Sequence, residues 1–176
     1  MPPDIRLEPF TDDHLAAFAE LVDDPDVLRY TRFPDPPEPD FPPQWLGRYE
    51  QGRRDGTKEA FAVLDADGTF LGVALAVEID RAAAEAELGY LTAPAARGRG
   101  IATAAVLELT RWALADQGLE RVVLIISSGN VGSRKVAERA GYLRDGVLRN
   151  AYVKPGIRAD TFVYSRLRSD PEPAPR

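Results

Sequence analysis

Pro94-Ala95-Ala96-Arg97-Gly98-Arg99-Gly100-Ile101-Ala102-Thr103 is the stretch on which the reading of this chain turns. A strand-like run, residues 85–91, precedes it. Apolar residues at helical spacing, Ile101, Ala105, Leu109 and Trp112, follow it and predict a helix over 101–116, with Gly118 as its C-terminal cap. A helix start carries unpaired N–H groups and a partial positive charge, which together bind phosphate. Gly98 and Gly100 place no side chain between the backbone and an anion. Arg97 and Arg99 add charge and donors. A Walker A loop would need a Gly-Lys-Ser/Thr end, which is missing. A dinucleotide fingerprint would need a third glycine where Thr103 stands, and an acid after the next strand, where Ser127-Ser128 follow Ile126. Two readings remain: a glycine turn that merely caps a helix, and a loop for some other phosphate-bearing ligand.

Working outward, residues 5–9 alternate apolar and charged and predict a strand. Thr11 caps a helix whose apolar face is Leu15, Phe18, Leu21 and Val22, and Asp24-Pro25 stops it. Residues 29–43 are dense in proline and aromatics and predict irregular chain, either lining a cleft or packing as a plain loop. Pro42-Pro43 open a short helix over 44–54. Strands are predicted at 60–64, 70–79 and 85–91, the first two joined by a turn at Asp67-Gly68. Beyond the long helix, residues 122–126 form a buried β-branched strand. A short helix at 133–140 ends at Gly141, and strands follow at 142–148 and 161–167. Residues 169–176, with three prolines and no large apolar side chain, are expected to be disordered.

The chain has 176 residues, a net charge of −6, no cysteine and a single histidine. An acidic protein lacks the basic footprint of a nucleic-acid binder. Without cysteine there is no disulfide framework, thiolate zinc site or cysteinyl acyl-enzyme, and no metal is expected. His14 lies in the first turn of a helix, with no nucleophile motif beside it, and reads as a surface residue. No apolar run approaches the roughly 18 residues of a spanning helix, and the N-terminus has no signal-peptide core. The expected setting is the cytoplasm, away from membranes.

Arg97-Gly98-Arg99-Gly100-Ile101-Ala102 resembles the Arg/Gln-x-x-Gly-x-Gly/Ala motif of the GNAT N-acetyltransferases. Glu87-Leu88-Gly89-Tyr90, Asn130-Val131-Gly132-Ser133-Arg134-Lys135-Val136, Gly141-Tyr142 and Gly146-Val147-Leu148-Arg149, followed by Asp160 and Tyr164, are similar to the branch that acetylates ribosomal-protein N-termini. The resemblance runs over roughly residues 5–167 and agrees with the predicted order of elements. It implies a single-domain α/β fold over residues 1–168. Its sheet would be mixed and mostly antiparallel, with about seven strands flanked by about four helices. It implies acetyl-coenzyme A as co-substrate. Leu91 and Thr92 would offer backbone groups to the pantetheine arm. The N–H groups of Gly98, Arg99, Gly100, Ile101, Ala102 and Thr103, together with Arg97, would hold the pyrophosphate. Asn130 would contact the cofactor arm, and Ser133 would lie near the thioester sulfur. Arg134 and Lys135 would either reach the adenosine phosphates or form a solvated face. A monomer or homodimer is implied.

Acetyl transfer needs a free amine, a stabilised oxyanion and a proton for the departing thiolate. Glu87, on the strand entering the loop, matches a family acid and is the expected base, with Glu85 as competitor. Many family members carry a tyrosine on the short helix as donor. That position is Ala137 here, which leaves Ser133 as the expected donor and Tyr142 as a second. The acceptor is expected to be an amine, either a protein N-terminus or a small molecule, and the acidic surface favours a cationic one. A larger acyl-coenzyme A as donor, and a non-catalytic acyl-coenzyme A sensor, are the alternatives.

Overall fold

A computed structural model describes residues 3–173. Seven strands form one sheet in the order β1-β2-β3-β4-β5-β7-β6. They are β1 (Arg6–Pro9), β2 (Glu59–Leu64), β3 (Phe70–Asp80), β4 (Glu85–Thr92), β5 (Arg121–Ser127), β6 (Leu143–Lys154) and β7 (Ile157–Leu167). All neighbours are antiparallel except β4 and β5, which are parallel. That exception follows from the connection: the crossover between them holds a helix, and helical crossovers return parallel strands.

Both faces of the sheet are covered, and side-chain alternation sorts the residues between them. Phe61, Val63, Ala74, Ala76, Leu88, Val122, Leu124 and Ile126 pack with α4 (Ile101–Arg111) and α5 (Val131–Arg139). Ala60, Ala62, Leu64, Val73 and Leu75 turn to the other face, beneath α1 (Leu15–Val22), α2 (Pro25–Tyr30) and α3 (Phe41–Asp55). The second core is aromatic: Phe18 and Trp45 rings lie 4.3 Å apart, and Trp45 and Tyr49 rings 4.3 Å apart. Among the described residues no helix is long and apolar enough to cross a membrane.

The mixed, mostly antiparallel sheet of seven strands and the flanking helices agree with the sequence; among the described residues there are five α-helices, one more than the sequence marks. Asp24-Pro25, read as a stop, is also a start. Asp24 accepts from the Val27 N–H at 3.1 Å and Pro25 occupies the first helical position, so α2 follows α1 almost at once. The helix expected over 44–54 begins at Phe41, because its first turn tolerates Pro42 and Pro43 where no N–H is needed. The last two strands are much longer than expected, reaching a tight turn at Pro155-Gly156. β6 is an edge strand, exposed along most of its length, so its sequence shows little apolar alternation. His14 is half-buried, accepts from the Thr11 N–H at 3.1 Å and packs against Phe10. Of the expected disordered tail, 169–173 are described: Asp170 accepts from the Leu167 N–H at 2.8 Å, and Glu172 pairs with buried Arg166 at 3.0 Å. Residues 174–176 lie outside the described residues.

Candidate active site

β4 and β5 pair only over residues 85–88 and 121–124. Past Leu88, β4 runs on to Thr92 against β3 alone, while β5 runs on to Ser127 against β7 alone. The sheet therefore splits at the carboxyl ends of its two parallel strands, where α4 and α5 begin. Such a split is where open α/β sheets take ligands, because loops and helix N-termini converge there. Past Leu88 one edge of β4 has no strand partner, and main-chain groups on an open edge need hydrogen bonds; the Thr92 carbonyl accepts one from Arg97 Nε at 3.3 Å.

Thr92 leads through a single turn, Pro94–Ala96, into the glycine loop. Gly98 and Gly100 sit at φ 74° and 82°, in the left-handed region that side chains oppose. No side chain caps α4. The N–H groups of Ile101, Ala102 and Thr103 thus belong to a first helical turn with no intrahelical partner. A Cβ built on Gly98 would meet nothing within 4 Å, so the backbone there can be approached closely. This cradle fits a pyrophosphate. Of the two loop arginines, Arg99 is exposed, but Arg97 is committed elsewhere. Its guanidinium lies 2.6 Å from Asp24 and 3.2 Å from Asp26, at the start of α2, and also donates to the Thr92 carbonyl at 3.3 Å. Burial alone would raise the Asp24 pKa. The Arg97 hydrogen bond, the Val27 N–H and the Arg97 charge outweigh it and hold the carboxyl below its ordinary value. Arg97 therefore braces the loop against α2.

At the start of α5, Asn130 Oδ1 accepts from the Ser133 N–H at 3.1 Å, so Asn130 is the helix cap. Ser133 Oγ lies 2.6 Å from the Tyr90 hydroxyl, joining β4 to α5. Burial pushes the Tyr90 phenol up to about 12, while the Ser133 hydrogen bond pulls the other way. Sequence reasoning did not single Tyr90 out as a proton-handling residue. Lys135 is exposed on α5. Arg134 stacks 5.0 Å over the Phe162 ring and donates to the Ser128 carbonyl at 3.4 Å. Tyr142 is buried against Thr110, hydroxyl to hydroxyl at 2.6 Å, and Ala137 is fully buried.

Glu87 lies on the other face. Along β4, Ala86, Leu88 and Tyr90 pack toward α4 and α5, so Glu87 and Leu91 turn toward α1–α3. The Glu87 carboxylate is 3.2 Å from Arg32 Nη2. It also lies near buried Tyr49, whose phenol is raised by burial first and by the Glu87 charge second. Glu85 is tied up instead: it pairs with Arg121, which also holds Asp145 at 2.8 Å.

A sheet that opens beside a glycine loop and a helix start, with a carboxylate on one face and paired hydroxyls on the other, offers a place for a phosphate-bearing ligand next to groups that can handle protons. The acetyltransferase (GNAT) domain family matches residues 4–143. The chain is 32% identical over 153 residues, 87% of its length, to a Bacillus subtilis (strain 168) protein named "Putative ribosomal N-acetyltransferase YdaF", of which it covers 76%. Among solved structures, the ribosomal L7/L12 alpha-N-protein acetyltransferase RimL in complex with coenzyme A has the same fold, with a TM-score of 0.87 and 18% identity, over 93% of this chain and 94% of that one. Spermidine N-acetyltransferase from Vibrio cholerae, in complex with coenzyme A and spermine, superposes with a TM-score of 0.84 at 20% identity, over 94% and 96%. This chain belongs to the GNAT acetyltransferase family and is an acyl-coenzyme A-dependent N-acetyltransferase.

Proposed function

We propose that this enzyme moves the acetyl group of acetyl-coenzyme A directly onto a primary amine, either a protein N-terminus or a small amine. The observation that carries the reading is the distribution of groups about the split. Ser133 and Tyr90 face α4 and α5, Glu87 faces α1–α3, and the gap between β4 and β5 joins the two sides.

The coenzyme lies on the α4–α5 side. Its pyrophosphate rests on the N–H groups of residues 98–103, with Arg99 as the available cation and Lys135 placed for the adenosine phosphates. Its pantetheine arm pairs with the free edge at Leu91 and Thr92 and passes Asn130. The thioester then sits in the split. The acceptor comes from the α1–α3 side, and Glu87 takes a proton from its ammonium, directly or through water, since an alkyl ammonium is mostly charged at neutral pH. The amine nitrogen bonds to the carbonyl carbon, and the C–S bond of the tetrahedral intermediate breaks. As the tetrahedral intermediate collapses, its nitrogen gives up a second proton, which passes to the departing thiolate and leaves free coenzyme A as the thiol. The Ser133 hydroxyl donates a hydrogen bond to that sulfur and accepts one from the Tyr90 hydroxyl, which keeps its proton at neutral pH. No covalent enzyme intermediate is needed. A cytoplasmic enzyme, acting as monomer or homodimer, fits this chemistry.

The test is single-turnover transfer with the Glu87→Gln and Ser133→Ala variants, alongside a thermal shift with acetyl-coenzyme A and with larger acyl-coenzyme A species. Both variants should retain the coenzyme shift and transfer more slowly, Glu87→Gln by more than Ser133→Ala. Wild-type rates in both would remove Glu87 and Ser133 from the mechanism, and a shift with a larger acyl-coenzyme A alone would change the donor.

A further inference from the structure

The acceptor face has a local charge opposite to that of the molecule. Although the chain carries −6 overall, Arg32, the partner of Glu87, lines a cavity whose charged residues are cations. A cavity of about 320 Å³ lies between the segment after α2 and the β6–β7 hairpin, lined by Thr31, Arg32, Phe33, Tyr152, Val153 and Lys154 together with Ala151. Among these residues there is no acid. A second cavity of similar size shares Lys154 and adds Arg29, with Asp35 as its acid.

The cations are held in place. The Lys154 ammonium donates to the Phe33 carbonyl at 2.6 Å, the Tyr152 hydroxyl donates to the Arg29 carbonyl, and the Tyr30 hydroxyl donates to the Gly129 carbonyl at 3.3 Å. Three contacts thus pin the segment 29–33 against the far half of the sheet, and Arg32 projects from its middle to Glu87. Desolvation lowers the Lys154 pKa from its ordinary value and outweighs the opposing charge of Asp35. Arg32 has Glu87 as its partner, with 70% of its side chain exposed. An ammonium arriving at Glu87 competes for that carboxylate and frees the guanidinium, whose planar fork then accepts another carboxylate well.

We propose that the acceptor is an amine that carries its own acidic group: a peptide N-terminus with Asp or Glu at the second or third position, or an acidic amino acid. The amine takes the place of Arg32 at Glu87, and the acid takes the place of Glu87 at Arg32, with Lys154 closing the far wall. An extended chain advances about 3.3–3.6 Å per residue, so an amine held at Glu87 carries its next side chains toward the cavity that Arg32 and Lys154 line. Polyamines, which bring only positive charge, are poor acceptors. This inference rests on the amine-transfer reading above.

The experiment compares three acceptors, the peptides Ser-Asp-Glu-Ala and Ser-Lys-Lys-Ala and spermidine, by coenzyme A thiol release. It uses the wild type, Arg32→Glu and Lys154→Gln. Calorimetric titration of both peptides into the coenzyme A-bound protein runs beside it. The acidic peptide should have the higher kcat/KM by about tenfold or more, equivalent to about 1.4 kcal/mol. The difference should lie mainly in KM and shrink as salt is raised. Arg32→Glu should invert the ratio of acidic to basic peptide, and Lys154→Gln should reduce it. The ratio cancels any effect of Arg32 on chemistry common to both peptides. Equal rates, a preference for the basic peptide or spermidine, or a ratio unmoved by both substitutions would overturn the proposal. Tighter binding of the acidic peptide with no transfer to any acceptor would uphold the charge preference and overturn the amine-transfer reading.

Discussion

The two sides of the split differ in what they are made of. On the side proposed for the coenzyme, the groups on offer are backbone: N–H groups at the start of α4, the open edge of β4, and two glycines at positive φ. On the side proposed for the acceptor they are side chains, Arg32, Glu87, Tyr152 and Lys154, brought together from an irregular segment, a strand and a distant hairpin. The first kind of site is local in the chain and constrains which residues stand next to one another. The second is assembled by the fold and leaves its members free to vary, which suits one carrier and many acceptors.

Substitutions separate the two sides. The largest effect is expected at Gly100. A valine at φ 82° strains the backbone by about 1–3 kcal/mol and distorts the loop proposed to hold the pyrophosphate. Gly100→Val should abolish the thermal shift with acetyl-coenzyme A, which in the wild type should reach roughly 5–10 °C at about one hundred times the dissociation constant. A retained shift would break the assignment of the coenzyme side to backbone. Next comes Glu87→Gln, which should lower kcat by about 10²–10⁴-fold with the coenzyme shift intact. Loss of the shift instead would place Glu87 on the coenzyme side. Ser133→Ala should cost about tenfold in kcat, equal to roughly 1.4 kcal/mol, the scale of one hydrogen bond. Tyr90→Phe should cost less, and the double variant less than the sum, because the two hydroxyls act through one 2.6 Å contact.

Residues legible in sequence were those whose roles are local. The glycine loop, the strands at both of its ends and the Asn130–Ser133 turn each lie within a few residues, so spacing and turn chemistry suffice. Tyr90 was missed because its partner Ser133 is 43 residues away. Arg97 looks like a phosphate ligand when read beside Arg99, yet Asp24 and Asp26, 73 and 71 residues earlier, claim its guanidinium. The hairpin carrying Tyr152 and Lys154 was read as loop, since an exposed edge strand has no apolar face to give it a period. The same holds for Arg32, whose neighbour Glu87 became visible only once α3 and β4 were in place.

The smallest expected effect joins the two sides. Asp24→Asn keeps the cap on α2 but removes the charge facing Arg97, and should cost about 0.5–1 kcal/mol, or roughly 2–4 °C in Tm at most. The folded-state pKa of Asp24 is depressed below 3.8. The contribution is therefore full above the unfolded pKa and lost as the pH falls through the folded one. Thermal scans should show wild type and variant separated at pH 7 and converging toward pH 3. A gap that persists in acid would mean that Arg97 draws little from this carboxylate.

The split sheet has a consequence for the fate of the protein in a cell. One edge of β4 has no strand partner past Leu88, and in the complex proposed above the pantetheine arm would take that place. Bound coenzyme then lowers the population of opened molecules by the same factor that it raises stability, and proteolysis of such molecules follows that population.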